Sequence, residues 1–120
     1  MEDAVSLQAE IRKDDLLKIQ FNGNRDLNAL IYKWLGIKSD VNSKYGKILI
    51  IDNMEGNLSS EGICILFELL SEYDFYRQKR IAIVLKDENS YSTRFFEIIA
   101  QSWGINTKHI NNENEAVNWL

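Results

Sequence analysis

Few side chains in this chain are equipped for chemistry. It carries one histidine, His109, and one cysteine, Cys64. A Cys-His or Ser-His-acid arrangement needs a nucleophile held against a base, and that base in turn oriented by a third group. His109 falls in a short alternating stretch near the C-terminus, between Lys108 and Ile110, where a solvent-facing or edge-strand position is the expectation. Cys64 follows Ile63 on a helical stripe and is expected in the core, as free cysteine commonly is. Zinc-type Cys/His spacing, an EF-hand loop, a Walker loop and a GxGxxG turn are all missing from the sequence. No catalytic residue, metal ligand or cofactor site is therefore assigned, and a non-enzymatic protein is expected.

The acids are the second place to look. Asp52 and Glu55 lie at and just after the end of an apolar run, where open α/β sheets place their sites. With Lys86 at the end of a later run, Asp52 also has the rough layout of a phospho-accepting receiver domain. A receiver places its acid pair after its first strand, however, whereas Asp14-Asp15 falls in a hairpin turn. Asp52 reads better as a turn-forming strand end. Two groups of aromatics, Tyr73, Phe75 and Tyr76, then Tyr91, Phe95 and Phe96, flank one apolar run. Packing of helices on a sheet is the favoured reading, with an aromatic pocket as the other.

The elements that must position these residues follow from periodicity. Val5, Leu7, Ala9 and Ile11 alternate with polar neighbours, as do Leu17, Ile19 and Phe21 after the Lys13-Asp14-Asp15 turn, which predicts an antiparallel hairpin. Leu27, Leu30, Ile31 and Trp34 recur at helical spacing, with Asn24 or Asp26 as N-cap; Gly36 offers an early stop, and the extent of the helix towards Tyr45 is left open by the weak pattern of 37–44. Residues 47–52 (KILIID) are continuously apolar up to the acid, the mark of a strand covered on both faces. Ser59 or Ser60 can cap a helix with the inward stripe Ile63, Leu66, Phe67, Leu70 and Tyr73. A buried strand follows at 80–86. Asn89 or Ser90 is placed to cap a helix carrying Phe95, Phe96, Ile99 and Trp103, which Gly104 closes. A strand at 107–110 leads to Asn112 and Glu115, spaced as a capping box, and to a final helix with Ala116, Val117 and Leu120. The order β-β-α-β-α-β-α-β-α predicts one α/β domain spanning residues 1–120. Its mixed sheet has later strands that are parallel and carries packed helices.

This order, the KILIID strand with its polar turn, the helix start Ser59-Ser60-Glu61-Gly62 and the tail RIAIVLKDEN, RFFEIIAQSWGI and NENEAVNWL resemble the STAS superfamily, which includes the bacterial anti-sigma-factor antagonists. The resemblance covers nearly the whole chain. It implies a regulatory module that binds a protein partner, namely a kinase that doubles as an anti-sigma factor. It also implies a phosphorylation switch at the start of the helix after the third strand. In the antagonists the modified hydroxyl immediately precedes a glycine. Setting Gly62 on that glycine puts Glu61 at the acceptor position, and a one-residue slip puts Ser60 there, with Ser59 beside it.

The loops at 53–60 and 87–91 both follow buried strands and are expected on one edge of the sheet. The candidate binding residues there are Asp52, Asn53, Glu55, Ser59, Ser60, Glu61, Gly62 and Ser90. The 120 residues carry a net charge of −4 with basic residues scattered along the chain, which speaks against nucleic acid. No apolar run approaches membrane-spanning length, and the lone cysteine with an acidic N-terminus suggests a cytoplasmic protein. Pairing into a homodimer is a second expected use of surface aromatics. The competing function is a carrier or sensor of a small apolar or lipid-like ligand, which requires a pocket of a few hundred Å³ lined by Phe67, Tyr73, Phe95 and Phe96.

Overall fold

The structure is a computed structural model that describes residues 6–12, 16–40, 46–72, 76, 79–87 and 90–120, with backbone alone at 6–12 and 37–40. Its elements are β1 (Ser6–Arg12), β2 (Leu16–Asn24), α1 (Leu27–Asp40), β3 (Lys47–Glu55), α2 (Ser60–Leu70), β4 (Arg80–Leu85), α3 (Thr93–Ser102), β5 (Asn106–His109) and α4 (Glu113–Trp119). The five strands form one sheet in the order β1-β2-β3-β4-β5. β1 runs antiparallel to β2, and β2 through β5 are mutually parallel. The Lys13-Asp14-Asp15 turn lies outside the described residues, as do Tyr73, Phe75 and Asn89.

Sequential strand order has a consequence for the helices. Parallel crossovers are right-handed, so when each new strand adds on the same side, each crossover helix lands on the same face. Accordingly α1, α2 and α3 share one face. Leu30 and Trp34, then Ile63, Leu66, Phe67 and Leu70, then Phe96 and Ala100 pack there on Leu17, Ile19, Phe21, Ile48, Ile50, Ile81 and Ile83. An aromatic chain threads this layer. Trp34 sits 6.4 Å from Phe21 and 6.2 Å from Phe67, and Phe67 meets Phe96 edge-on at 4.9 Å. Tyr76 packs on Trp34 at 5.3 Å and donates its hydroxyl proton to the Trp34 carbonyl.

The opposite face has a smaller core of Leu16, Leu49 and Ala82, closed by Ala116 and Leu120. α4 is fixed there by Lys18 Nζ, 2.9 Å from Glu113 Oε2, and by Arg80, whose guanidinium lies 4.6 Å from the Trp119 ring centroid. This explains the continuous KILIID run. Alternate residues face different cores, with Leu49 fully buried under α4 and Ile51 half-buried beyond it.

Several local expectations need correction. α1 does not stop at Gly36 but continues to Asp40. A Cβ there would meet nothing within 4 Å, and one helical glycine costs about 1 kcal/mol, too little to end a helix. The N-cap of α3 is Ser92, whose hydroxyl accepts from Phe95 N–H, and Ser90 is buried instead. Cys64 is exposed, because the buried stripe of α2 takes Ile63 and turns Cys64 outward. Trp103 and Val117 are also outside, at 39 % and 37 % exposure. Asp26 caps α1 by accepting from Ala29 N–H at 3.1 Å, and Asn112 caps α4 by accepting from Glu115 N–H at 2.9 Å. Gly104, at φ 80°, adopts the left-handed backbone that follows α3.

The two kinds of apolar position predict different sensitivities. Phe67→Ala, at the crossing of the aromatic chain, should cost about 3–5 kcal/mol in urea unfolding. Val117→Ala should change stability by no more than about 0.5 kcal/mol.

Candidate functional site

The C-terminal ends of β2 to β5 converge on one edge of the domain, the edge at which open parallel sheets bind ligands and partners. Asp52 turns into the helix-covered face at the end of β3, in the row of Ile48 and Ile50. It is nearly inaccessible, and Arg25, just past the end of β2, meets it with Nη2 2.8 Å from Oδ1. The arginine side chain is fully buried. Asp52 Oδ1 also accepts from Met54 N–H at 3.0 Å. Burial raises the Asp52 carboxyl above its ordinary range, against the opposing pull of the Arg25 charge and of the hydrogen bonds. Asp52 is thus a buried ion-pair partner, not a simple turn-forming acid.

Arg25 does more than neutralise Asp52. Its Nη1 donates to the Gly56 carbonyl and its Nη2 to the Met54 carbonyl at 3.3 Å, while its backbone N–H donates to Glu55 O at 2.6 Å. One residue therefore binds three consecutive carbonyls where β3 ends and the loop to α2 begins. Gly56 serves this turn with φ +102°, a backbone conformation that side chains resist. Across the edge, Leu58 N–H donates to Ser90 O and Lys86 N–H to Asp52 O, each at 2.9 Å. The loops at 53–60 and 87–91 are thus joined.

Beyond this clamp, α2 starts from Ser59, whose hydroxyl accepts from Gly62 N–H at 3.0 Å. Gly62 is buried. A Cβ there would lie 3.0 Å from Leu58 Cδ1, 3.3 Å from Ser59 Oγ and 3.7 Å from Leu27 Cδ1. Close packing of α1, loop and helix start accounts for the glycine. Ser60 and Glu61 are exposed in the first turn, where the carboxylate faces the positive end of the helix dipole. Of the eight candidate binding residues, Glu55, Ser59, Ser60 and Glu61 are exposed and Asn53 is half-exposed. Asp52, Gly62 and Ser90 are buried beneath them. Asp52 and Glu55 diverge, one inward and one to solvent, and do not form an acid pair.

The sequence reading missed two partners of this edge. Arg25, 27 positions from Asp52, gave no local signal. His109 was expected at a solvent-facing or edge-strand position; it does lie on the edge strand β5, but its side chain is only 8 % exposed. Its Nδ1 lies 3.0 Å from Glu97 Oε2, which also accepts from the His109 backbone N–H at 2.6 Å, and its Nε2 lies 2.8 Å from the Tyr91 hydroxyl. Tyr91 stacks on Phe96 at 5.0 Å and lies under Arg25, whose guanidinium is 5.5 Å from the ring centroid. The run Glu97–His109–Tyr91–Arg25–Asp52 is therefore continuous across four strand ends. Burial and the nearby acids push the Tyr91 phenol well up, so it keeps its proton. Burial also lowers His109, with Glu97 pulling the other way.

Among the described residues the aromatics on this side belong to the core: Phe67 and Phe96 meet edge-on, Phe95 packs against the same cluster, and the cavity bordered by Arg25, Asp52, Tyr91 and Phe96 holds about 10 Å³. That is about the space for one water. Shallow clefts of about 140 and 330 Å³ lie on either side of His109. Among the described residues no group of three His, Cys, Asp or Glu is placed to hold a metal, and no helix is long and apolar enough to cross a membrane. No protein-family model matches the chain, and no curated protein is significantly similar to it.

Two measurements probe this edge. Asp52→Asn leaves a buried guanidinium that cannot deprotonate and should cost about 3–5 kcal/mol. The double variant Arg25→Met/Asp52→Leu should lose clearly less than the summed single losses, as a double-mutant cycle would reveal. For His109, the folded form binds its proton less readily than the unfolded chain does. Its stabilising contribution is then complete above about pH 6.5 and falls with pH down to its lowered folded-state value. His109→Gln should flatten that part of a stability-against-pH curve measured by urea unfolding.

Proposed function

We propose that this chain is a non-enzymatic regulatory module of the STAS type, resembling the anti-sigma-factor antagonists. In this reading it acts in the cytoplasm and binds a protein partner through the loop and helix start at 53–62. The observation that carries this reading is the Arg25 clamp. A loop held by one buried guanidinium at Met54 and Gly56 presents Glu55, Asn57, Ser59, Ser60 and Glu61 in a fixed arrangement. Preorganisation of this kind reduces the ordering cost of docking. The exposed acids give the surface a negative character that suits a basic patch on the partner.

The phosphorylation switch implied by the resemblance is assigned to Ser60. Ser59 is occupied as the N-cap, and Glu61 places a carboxylate in the same first turn. The alternative, a carrier or sensor of a small apolar or lipid-like ligand, has less to support it, since two of its four lining aromatics, Phe67 and Phe96, pack directly on each other.

Capture experiments from a bacterial lysate test the reading. The bait proteins are the wild type, Glu55→Lys/Glu61→Lys and Ser60→Ala, with mass spectrometry and phosphosite mapping as the readout. Both sets of substitutions are exposed and leave the Ser59 cap intact, so each should shift stability by about 0.5 kcal/mol or less per site. A partner retained by wild type and lost on charge reversal is the expected result. Phosphate on Ser60 would add the switch. A partner held equally by the reversed variant would move the docking surface elsewhere on the domain.

A further inference from the structure

We propose that Tyr91 and His109 form a proton-sensitive latch that sets the position of the loop at 53–62. Glu97 accepts from both the backbone N–H and the Nδ1 side of His109. In the neutral ring Nδ1 therefore carries the proton, and Nε2 is left as an acceptor. Tyr91, still a phenol, donates to it across 2.8 Å. The phenolic hydroxyl and both ring nitrogens then each have a partner.

A proton added at Nε2 reverses this bond. Nε2–H now donates to the Tyr91 oxygen, and the phenolic hydrogen has to turn elsewhere. Among the described residues His109 is the hydroxyl's one hydrogen-bond partner, and the Phe96 ring and the Arg25 guanidinium lie against the faces of the Tyr91 ring, where they offer that hydrogen no acceptor. Asp52 is already held by Arg25 and the Met54 N–H. The charged groups around His109 are Glu97 from α3 and, beyond the Tyr91 ring, Arg25 and Asp52. Lys108 and Glu115 share the outer groove with it. Burial disfavours the imidazolium, whereas Glu97 favours it.

Tyr91 is chained to the docking loop twice. The Ser90 carbonyl next to it receives Leu58 N–H, and the guanidinium above its ring holds Met54 and Gly56. A shift of the phenol is transmitted to both. The latch itself is a property of the isolated chain, and only its effect on partner binding rests on the proposed function.

His109 is the single histidine, so its ring resonances are unambiguous in an NMR titration of the isolated protein between pH 7.5 and 4.5. The expected result is a midpoint below 6.5, with the Leu58 amide shift following the same midpoint. In Tyr91→Phe, which keeps the ring, His109 should still titrate while Leu58 no longer follows. In His109→Gln the Leu58 transition should vanish, which separates it from the titration of nearby carboxylates. A Leu58 amide that is flat in the wild type overturns the latch. So does one that follows His109 as strongly in Tyr91→Phe, or one that persists in His109→Gln. All three readouts are independent of any partner, so failure of the docking reading leaves them intact.

Discussion

The buried pair of Arg25 and Asp52 is the constraint around which the functional edge is arranged. Removing two charges from water costs several kcal/mol for each ion. A single contact between them does not offset that. Here the carboxylate also takes a backbone N–H, and the guanidinium satisfies two carbonyls of the loop it lies beneath. The desolvation cost is thus tied to geometry. The loop between β3 and α2 cannot leave its position without stripping hydrogen-bond partners from a buried guanidinium. Such a pair contributes little net stability but makes one loop conformation strongly preferred over others.

From that pair the rest of the edge follows. Tyr91 is held between the guanidinium and the Phe96 ring, and its hydroxyl reaches His109, which Glu97 orients. The aromatic chain from Phe21 through Trp34 and Phe67 to Phe96 ties this polar run to the centre of the main core. Side chains from the ends of β2, β3 and β5, from the loop after β4 and from α3 therefore share one electrostatic environment, although most of the sequence separates Arg25 from His109.

The sequence makes the local features legible and the non-local ones obscure. Ser59, Asn112 and Gly104 could be read because capping chemistry acts within three or four residues. The run Ile48-Leu49-Ile50 showed a strand buried on both faces because its pattern is self-contained. The end of α1 was left open because Gly36 is a weak stop and 37–44 has little apolar pattern, and the helix in fact runs to Asp40. Cys64 misled because hydrophobicity alone does not phase a helix within one residue. Ser90 was taken for a cap when Ser92, two positions on, does that work. Arg25 and His109 were missed for another reason. Charged and polar residues near turns are expected in solvent, and only the packed structure shows that their counter-groups arrive from other strands.

The one-sided crossover pattern gives the domain two layers of very unequal strength. Three helices and the aromatic chain seal one face, while a seven-residue helix with a few small side chains seals the other. The fixtures of that helix, the Lys18–Glu113 pair and the Arg80–Trp119 contact, lie at the surface, where water and salt compete with them. Local opening draws on the parts of a fold with the fewest buried apolar contacts. Among the described residues that part is α4, whose lifting would uncover Leu49 and Ala82. Amide hydrogen exchange is thus expected to be faster in α4 than in α2, the helix at the centre of the opposite layer.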